Sequence, residues 1–162
     1  IDGLDQSTML GNFMWGQRAN AKCLAWKPDE QGGSIHGEHD GYRRLASAVT
    51  HRRTLTLSGS ERQVVIDDEI DTAGAHDVAL YFQLSEHCQP ALTGSNECTI
   101  DVAGRRVVLR VEEGMTLQLL KASAEPIQAW VSRGYHHKAP SHTLVARARV
   151  SATRRFKTVI SL

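Results

Sequence analysis

Apolar residues recur at every second position over several stretches, and this period of two constrains the chain more than any other feature. Val78, Leu80, Phe82 and Leu84 alternate with Asp77, Ala79, Tyr81 and Gln83. Val107, Leu109 and Val111 alternate with Arg106, Val108 and Arg110; Met115, Leu117 and Leu119 alternate with Thr116, Gln118 and Leu120. Leu144, Ala146, Ala148 and Val150 alternate with Val145, Arg147 and Arg149. Successive side chains on a strand point to opposite faces, so the pattern describes sheets with one face in a core and one in water. A helix needs an apolar stripe spaced three and four residues apart, and no window of a dozen residues sustains one. The expected class is all-β.

Turn residues punctuate these strands. Ala103-Gly104 separates Thr99–Val102 from Arg106–Val111 as a tight hairpin in which Gly104 takes positive φ. Ser58-Gly59-Ser60 separates Arg52–Leu57 from Gln63–Ile70, and Thr72-Ala73-Gly74 precedes Asp77–Leu84. Gly114 precedes the Met115 strand and Ala124-Glu125-Pro126 follows it. The N-terminal 45 or so residues are less regular: Phe13–Trp15 and Ala21–Trp26 read as strands and Lys27–Ser34 as an exposed loop. About ten to twelve strands result, too many for one flat sheet, so two stacked antiparallel sheets, a β-sandwich, are expected. With neither linker nor repeat, residues 1–162 read as a single domain. The chain opens on Ile1 rather than Met and reads as a fragment of something longer.

Charge narrows the function. Nineteen Lys and Arg against 18 Asp and Glu give no basic field for nucleic acid or anionic membrane. No apolar run approaches the roughly 18 residues needed to span a bilayer. Cys23, Cys88 and Cys98 have no CxxC spacing, which argues against a zinc cluster, while pairing of Cys88 with Cys98 stays open. Of the eight histidines, His36 and His39 are three apart and face opposite ways on a strand, and His136, His137 and His142 gather near Tyr135. Neither group reads as a metal site within this chain. There is no nucleophile elbow, and Gln31–Ser34 and Gly41 lack the strand–loop–helix context of a phosphate loop. Asp67-Asp68-Glu69 reads as an acidic strand edge rather than a catalytic pair, since neighbours on a strand face apart. Arg43-Arg44, Arg52-Arg53, Arg105-Arg106 and Arg154-Arg155 read mostly as solvated faces. The residues by themselves name no activity.

Four ordered stretches resemble the C-terminal β-domain of the heparinase II/III-like polysaccharide lyases. These are Asp2–Ser7 with Trp15-Gly16; Gly37–Leu45 (GEHDGYRRL) leading into Val49–Arg53; Asp67–Ile70 with Gly74–Leu84; and Ser132–Tyr135 with Pro140, Phe156, Thr158 and Ile160. The resemblance implies a bacterial, periplasmic or secreted protein in which an N-terminal α/α-toroid joins a sandwich like this one. It further implies β-elimination of an acidic, uronate-containing polysaccharide, with a divalent metal such as zinc in the full-length protein. The family's His-Asn-Thr motif would fall before Ile1, and His136 stands where many members have Gly. No catalytic residue and no metal ligand is therefore carried over, and the chain is expected to be accessory by itself. Asp5, Gln6, His39 and Tyr42 are motif positions expected near the junction with the toroid, close to substrate. The alternative is a carbohydrate-binding or interaction sandwich. In that reading Trp130, out of phase with Ile127, Ala129 and Val131, faces outward as the sugar platform.

Overall fold

The computed structural model describes residues 1–11 and 13–162. Strand makes up 64% and no helix occurs among the described residues: the chain is an all-β sandwich of antiparallel sheets, as its period of two requires. The first six strands are β1 (Met9–Gly11), β2 (Met14–Trp15), β3 (Ala21–Asp29), β4 (Gly32–His39), β5 (Val49–Ser58) and β6 (Gln63–Thr72). Next come β7 (His76–Gln83), β8 (Gln89–Leu92), β9 (Glu97–Val102), β10 (Arg105–Val111) and β11 (Thr116–Lys121). The short strands β12 (Ser123–Ala124), β13 (Ile127–Gln128), β14 (Trp130–Gly134) and β15 (His137–Pro140) precede β16 (His142–Val150) and β17 (Arg154–Ser161). Seventeen elements among the described residues exceed the ten to twelve expected. The surplus lies in pieces such as β1–β2 and β12–β13, too short to display a period.

Two compact units divide the chain. The first, Ile1–Val78 with Arg149–Val159, carries the strand order β3-β4-β5-β6-β17. Its buried side chains alternate along β6 (Ile66, Asp68, Ile70, Thr72) and β17 (Phe156, Thr158), with charged residues between them. Here Lys27–Ser34 is a correction to the sequence reading. Strands β3 and β4 run to Asp29 and from Gly32, leaving only Glu30-Gln31 as the turn. Strand β3 is exposed along nearly its whole length, so no buried face imposes the alternation that would have marked it.

The second unit, Ala79–Ala148 with Ile160–Leu162, contains the order β10-β9-β8 and the three-stranded order β11-β16-β7. Ala103 and Gly104 both take positive φ (50° and 74°) between the paired residues Val102 and Arg105, the two-residue hairpin that Gly104 signalled. Strand β16 departs from expectation. Thr143, Leu144, Val145 and Ala146 are all buried, because β16 is the central strand of its sheet and is covered on both faces. All three cysteines are free thiols, with Cys98 fully buried.

Phe156 has no exposed surface. Phe156→Ala is expected to destabilise the protein by about 3–5 kcal/mol, read from the midpoint of urea unfolding.

Candidate functional site

The site is built on the sheet of the first unit. Ladder pairing places His39 beside His51 and His51 beside Ile70, and Gly37 beside Arg53 and Arg53 beside Asp68. Alternation then puts His39, His51, Arg53 and Asp68 on one face. Asp68 has no exposed surface, and an ionised carboxylate there must be answered by charge and hydrogen bonds. Arg53 does so with two prongs, Nε to Oδ1 at 2.6 Å and Nη2 to Oδ2 at 2.9 Å. His51 Nε2 is 2.6 Å from Asp68 Oδ1. Burial opposes ionisation of Asp68, but the bonds from His51 and Arg53 outweigh it and hold its pKa below the ordinary carboxylate value.

One consistent set of protons follows. A carboxylate only accepts, so His51 carries its proton on Nε2 and offers the Nδ1 lone pair, which lies 3.1 Å from His39 Nε2. His39 therefore donates from Nε2 and accepts the Gly41 N–H at its own Nδ1, 3.3 Å away. Burial, then the neighbouring His51, lowers the His39 pKa, keeping that imidazole neutral. All four imidazole nitrogens are engaged, so the chain of bonds orients its members and leaves none free to attack or coordinate.

The other motif residues gather beside this relay. The Tyr42 ring lies 5.5 Å from that of His39. Arg44 donates to the Gln6 carbonyl at 3.0 Å and to the carbonyls of Asp5 and Gly41. A Cβ at Gly41 would stand 2.3 Å from Gln6 O, so only glycine admits this approach of the DGLDQS segment to GEHDGY. Asp40 closes the corner by accepting the backbone and side-chain amides of Asn20 at 2.8 and 3.1 Å. Asp5, Gln6, His39 and Tyr42 thus come together, with the Asp5 and Gln6 side chains exposed.

Sequence reasoning missed Asp68, Arg53 and His51. Asp67-Asp68-Glu69 is no strand edge, since β6 lies between β5 and β17. Arg53, like Arg52, is itself partly in water, but the carboxylate it meets has no exposed surface. On the opposite face Arg52 meets Glu38, Glu69 and Asp71 at 3.2, 2.6 and 3.1 Å, and Arg155 meets Glu69. Two adjacent arginines followed, one hairpin later, by three adjacent acids was the available signal.

The family whose description is heparinase II/III-like, C-terminal, matches residues 1–161. The chain belongs to that family. Similar solved structures include heparan sulfate lyase HepC from Pedobacter heparinus at 12% identity and TM-score 0.73, covering 90% of this chain and 22% of that one. A heparinase III follows at 17% identity and TM-score 0.71, with 90% and 21% covered. Another, the BT4657 gene product, has 19% identity and TM-score 0.68, with 88% and 21% covered. No curated protein is significantly similar in sequence. This heparinase II/III-like domain thus spans about a fifth of the length of the structures it resembles, and the likeness is one of fold. No helix among its described residues is long and apolar enough to cross a membrane.

In the second unit, Trp130 is half-buried rather than facing freely outward. Its indole N–H donates to Ser123 O at 2.9 Å, and Lys138 Nζ sits 4.3 Å from its ring centroid. Ile127 is exposed and Ala129 buried, because Ala129 takes φ 62° and breaks the phase on which the outward reading rested. His136 likewise takes φ 60°, a conformation that glycine adopts without strain.

Two outcomes test the relay. Asp68→Asn strips His51 and the partly exposed Arg53 of their anion, and should cost about 1.5–3 kcal/mol in chemical unfolding. The His39 pKa is depressed from its ordinary 6.5, so its contribution is complete above that value and is lost as pH falls through the folded pKa. Stability should therefore decline on acidification below about pH 6.5, and His39→Gln should flatten that decline, measured by unfolding midpoints across pH.

Proposed function

We propose that this chain is the supporting C-terminal part of a polysaccharide lyase. In the full-length protein it would back an N-terminal α/α-toroid that cleaves a uronate-containing polysaccharide by β-elimination, in the periplasm or outside the cell. Support comes foremost from one sheet face. Trp26, Ile35, Leu55 and Ile66 form a continuous ladder row on the face that carries the relay. Ile66 is 7% exposed, but Leu55 rises to 36%, Leu57 to 52% and Trp26 to 65%. An apolar row left open beside a fully bonded polar cluster is suited to docking a partner surface.

The reaction needs a base for the proton beside the uronate carboxylate, positive or hydrogen-bonding groups to stabilise the enolate, and an acid for the departing oxygen. In this reading those groups come from the toroid. Asp5, Gln6, His39 and Tyr42 form the sandwich's edge of the cleft, with His39 as a positioning residue held through His51 by Asp68, and Tyr42 packed beside the His39 ring.

A divalent metal would find little purchase on this chain alone. The His39 and His51 nitrogens approach to 3.1 Å, but the lone pair of His39 Nδ1 is taken by Gly41 and its Nε2 proton by His51. No group of three or more metal-ligating side chains stands among the described residues. Zinc in the full-length protein would draw its ligands from preceding residues, so no step here runs through a metal.

The full-length protein, incubated with heparan sulfate, heparin or alginate, should release unsaturated uronate ends absorbing in the ultraviolet, whereas the 162-residue chain alone should release none. Turnover by the isolated chain would overturn the division of roles. Leu57→Lys should leave unfolding of the isolated chain within about 0.5 kcal/mol while lowering the melting temperature of the full-length protein.

A further inference from the structure

We propose that His76 is a positioning residue for the cleft edge: by gripping Asp2 it fixes the course of the DGLDQS segment. Its bearing on substrate rests on the lyase reading above; the grip itself does not. His76 opens β7 and is 4% exposed. Among the described residues its ring makes one hydrogen bond, from Nδ1 to Asp2 Oδ2 at 2.7 Å, across 74 positions of sequence. A carboxylate only accepts, so the ring donates from Nδ1. The other nitrogen, Nε2, is buried and has no partner among the described residues. Gly74 and Ser47 close that edge: a Cβ on Gly74 would stand 3.7 Å from Nε2 and 2.1 Å from Ser47 Oγ. Burying an imidazole with one nitrogen unanswered is costly beside an apolar side chain of similar size. Core stability therefore does not account for a histidine here, and its bond to Asp2 does.

The segment it grips has little else to fix it. Asp2 and Gly3 both take positive φ, 53° and 72°, in a turn closed by the Leu4 N–H to Ile1 O at 2.9 Å. Left-handed backbone is unfavourable for a residue with a Cβ, so Asp2 must be held there. Its N–H donates to Asp77 O at 2.8 Å, and the Asp77 N–H returns a bond to Asp2 Oδ1 at 2.9 Å. The bond from His76, joined by that from the Asp77 N–H, outweighs desolvation and holds the Asp2 carboxyl below its ordinary pKa. Ile1 is buried, but Asp2 through Gln6 are all exposed, and a Cβ on Gly3 would touch nothing within 4 Å. Without packing, the segment takes its course from polar fastenings at its two ends. His76 and Asp77 hold Asp2, and Arg44 holds the carbonyls of Asp5 and Gln6. Once released at Asp2, the Asp5 and Gln6 side chains no longer meet substrate at a fixed place.

The test compares two variants of the full-length protein. His76→Leu fills the space without a donor, whereas His76→Asn keeps a side-chain nitrogen where Nδ1 stands. Hydrogen exchange, read by mass spectrometry, should quicken about tenfold in His76→Leu over peptides covering Ile1–Ser7 and Asp77. Peptides of β5 and β6 should exchange as in the unaltered protein, showing that the fold stands. His76→Asn should stay within about threefold of the unaltered protein throughout. On whichever of heparan sulfate, heparin and alginate is cleaved, His76→Leu should raise KM about fivefold with kcat within about twofold, and His76→Asn should restore KM. That split marks lost binding rather than lost chemistry. Exchange that fails to quicken in His76→Leu, quickens equally in both variants, or quickens through β5 and β6 as well overturns the grip. Quickened exchange with KM unchanged overturns the positioning role. A full-length protein that cleaves none of these polymers ends the lyase reading and the role in substrate binding with it, while exchange still decides the grip.

Discussion

A carboxylate with no exposed surface cannot be tolerated in isolation, and the answer given to Asp68 organises the first unit. Arg53 and His51 lie two positions apart on β5, so a strand conformation alone places both on Asp68's face. A one-residue slip of β5 against β6 would carry Arg53 and His51 to the far side and leave Asp68 unanswered, so this triad pins the register. The consequences spread outward by proton counting. Asp68 sets the His51 tautomer, His51 sets that of His39, and His39 accepts from Gly41, where the two motif segments meet.

The other face of the same strands shows how far geometry outweighs composition. Arg52 adjoins Arg53 and Glu69 adjoins Asp68, yet the Arg52–Glu38–Glu69–Asp71 group remains partly in water. Each such pair is worth about 0–1 kcal/mol, whereas the charged hydrogen bonds to the buried Asp68 are worth about 1.5–3 kcal/mol. The adjacent carboxylates Asp68 and Glu69 therefore have different fates, decided by which face the pleat assigns them.

That is also why the fold was legible in the sequence and much of the site was not. Alternation and turn glycines report on single segments, and they placed β7, β9, β10 and the Ala103-Gly104 hairpin with errors of a residue or two at their ends. The motif resemblance brought Asp5, Gln6, His39 and Tyr42 into one neighbourhood. Asp68 needed knowledge of pairing across β5 and β6, which no single segment contains. Trp130 failed for a different reason: counting phase assumes continuous extended backbone, and Ala129 interrupts it.

The outer strands of the first unit carry the same lesson in reverse. Along the ladder row from Ile66 through Leu55 and Ile35 to Trp26, the residues stay apolar, yet only Ile66 is buried and Trp26 is 65% exposed. An isolated sheet gains nothing by extending an apolar row beyond its own cover, because each uncovered side chain leaves unused the stabilisation that burial would bring. Beside these residues the polar relay is complete, with its carboxylate buried and its imidazoles bonded. Under the proposed function, polar groups satisfied from within beside uncovered apolar groups suit a contact in which what is gained is the exclusion of water.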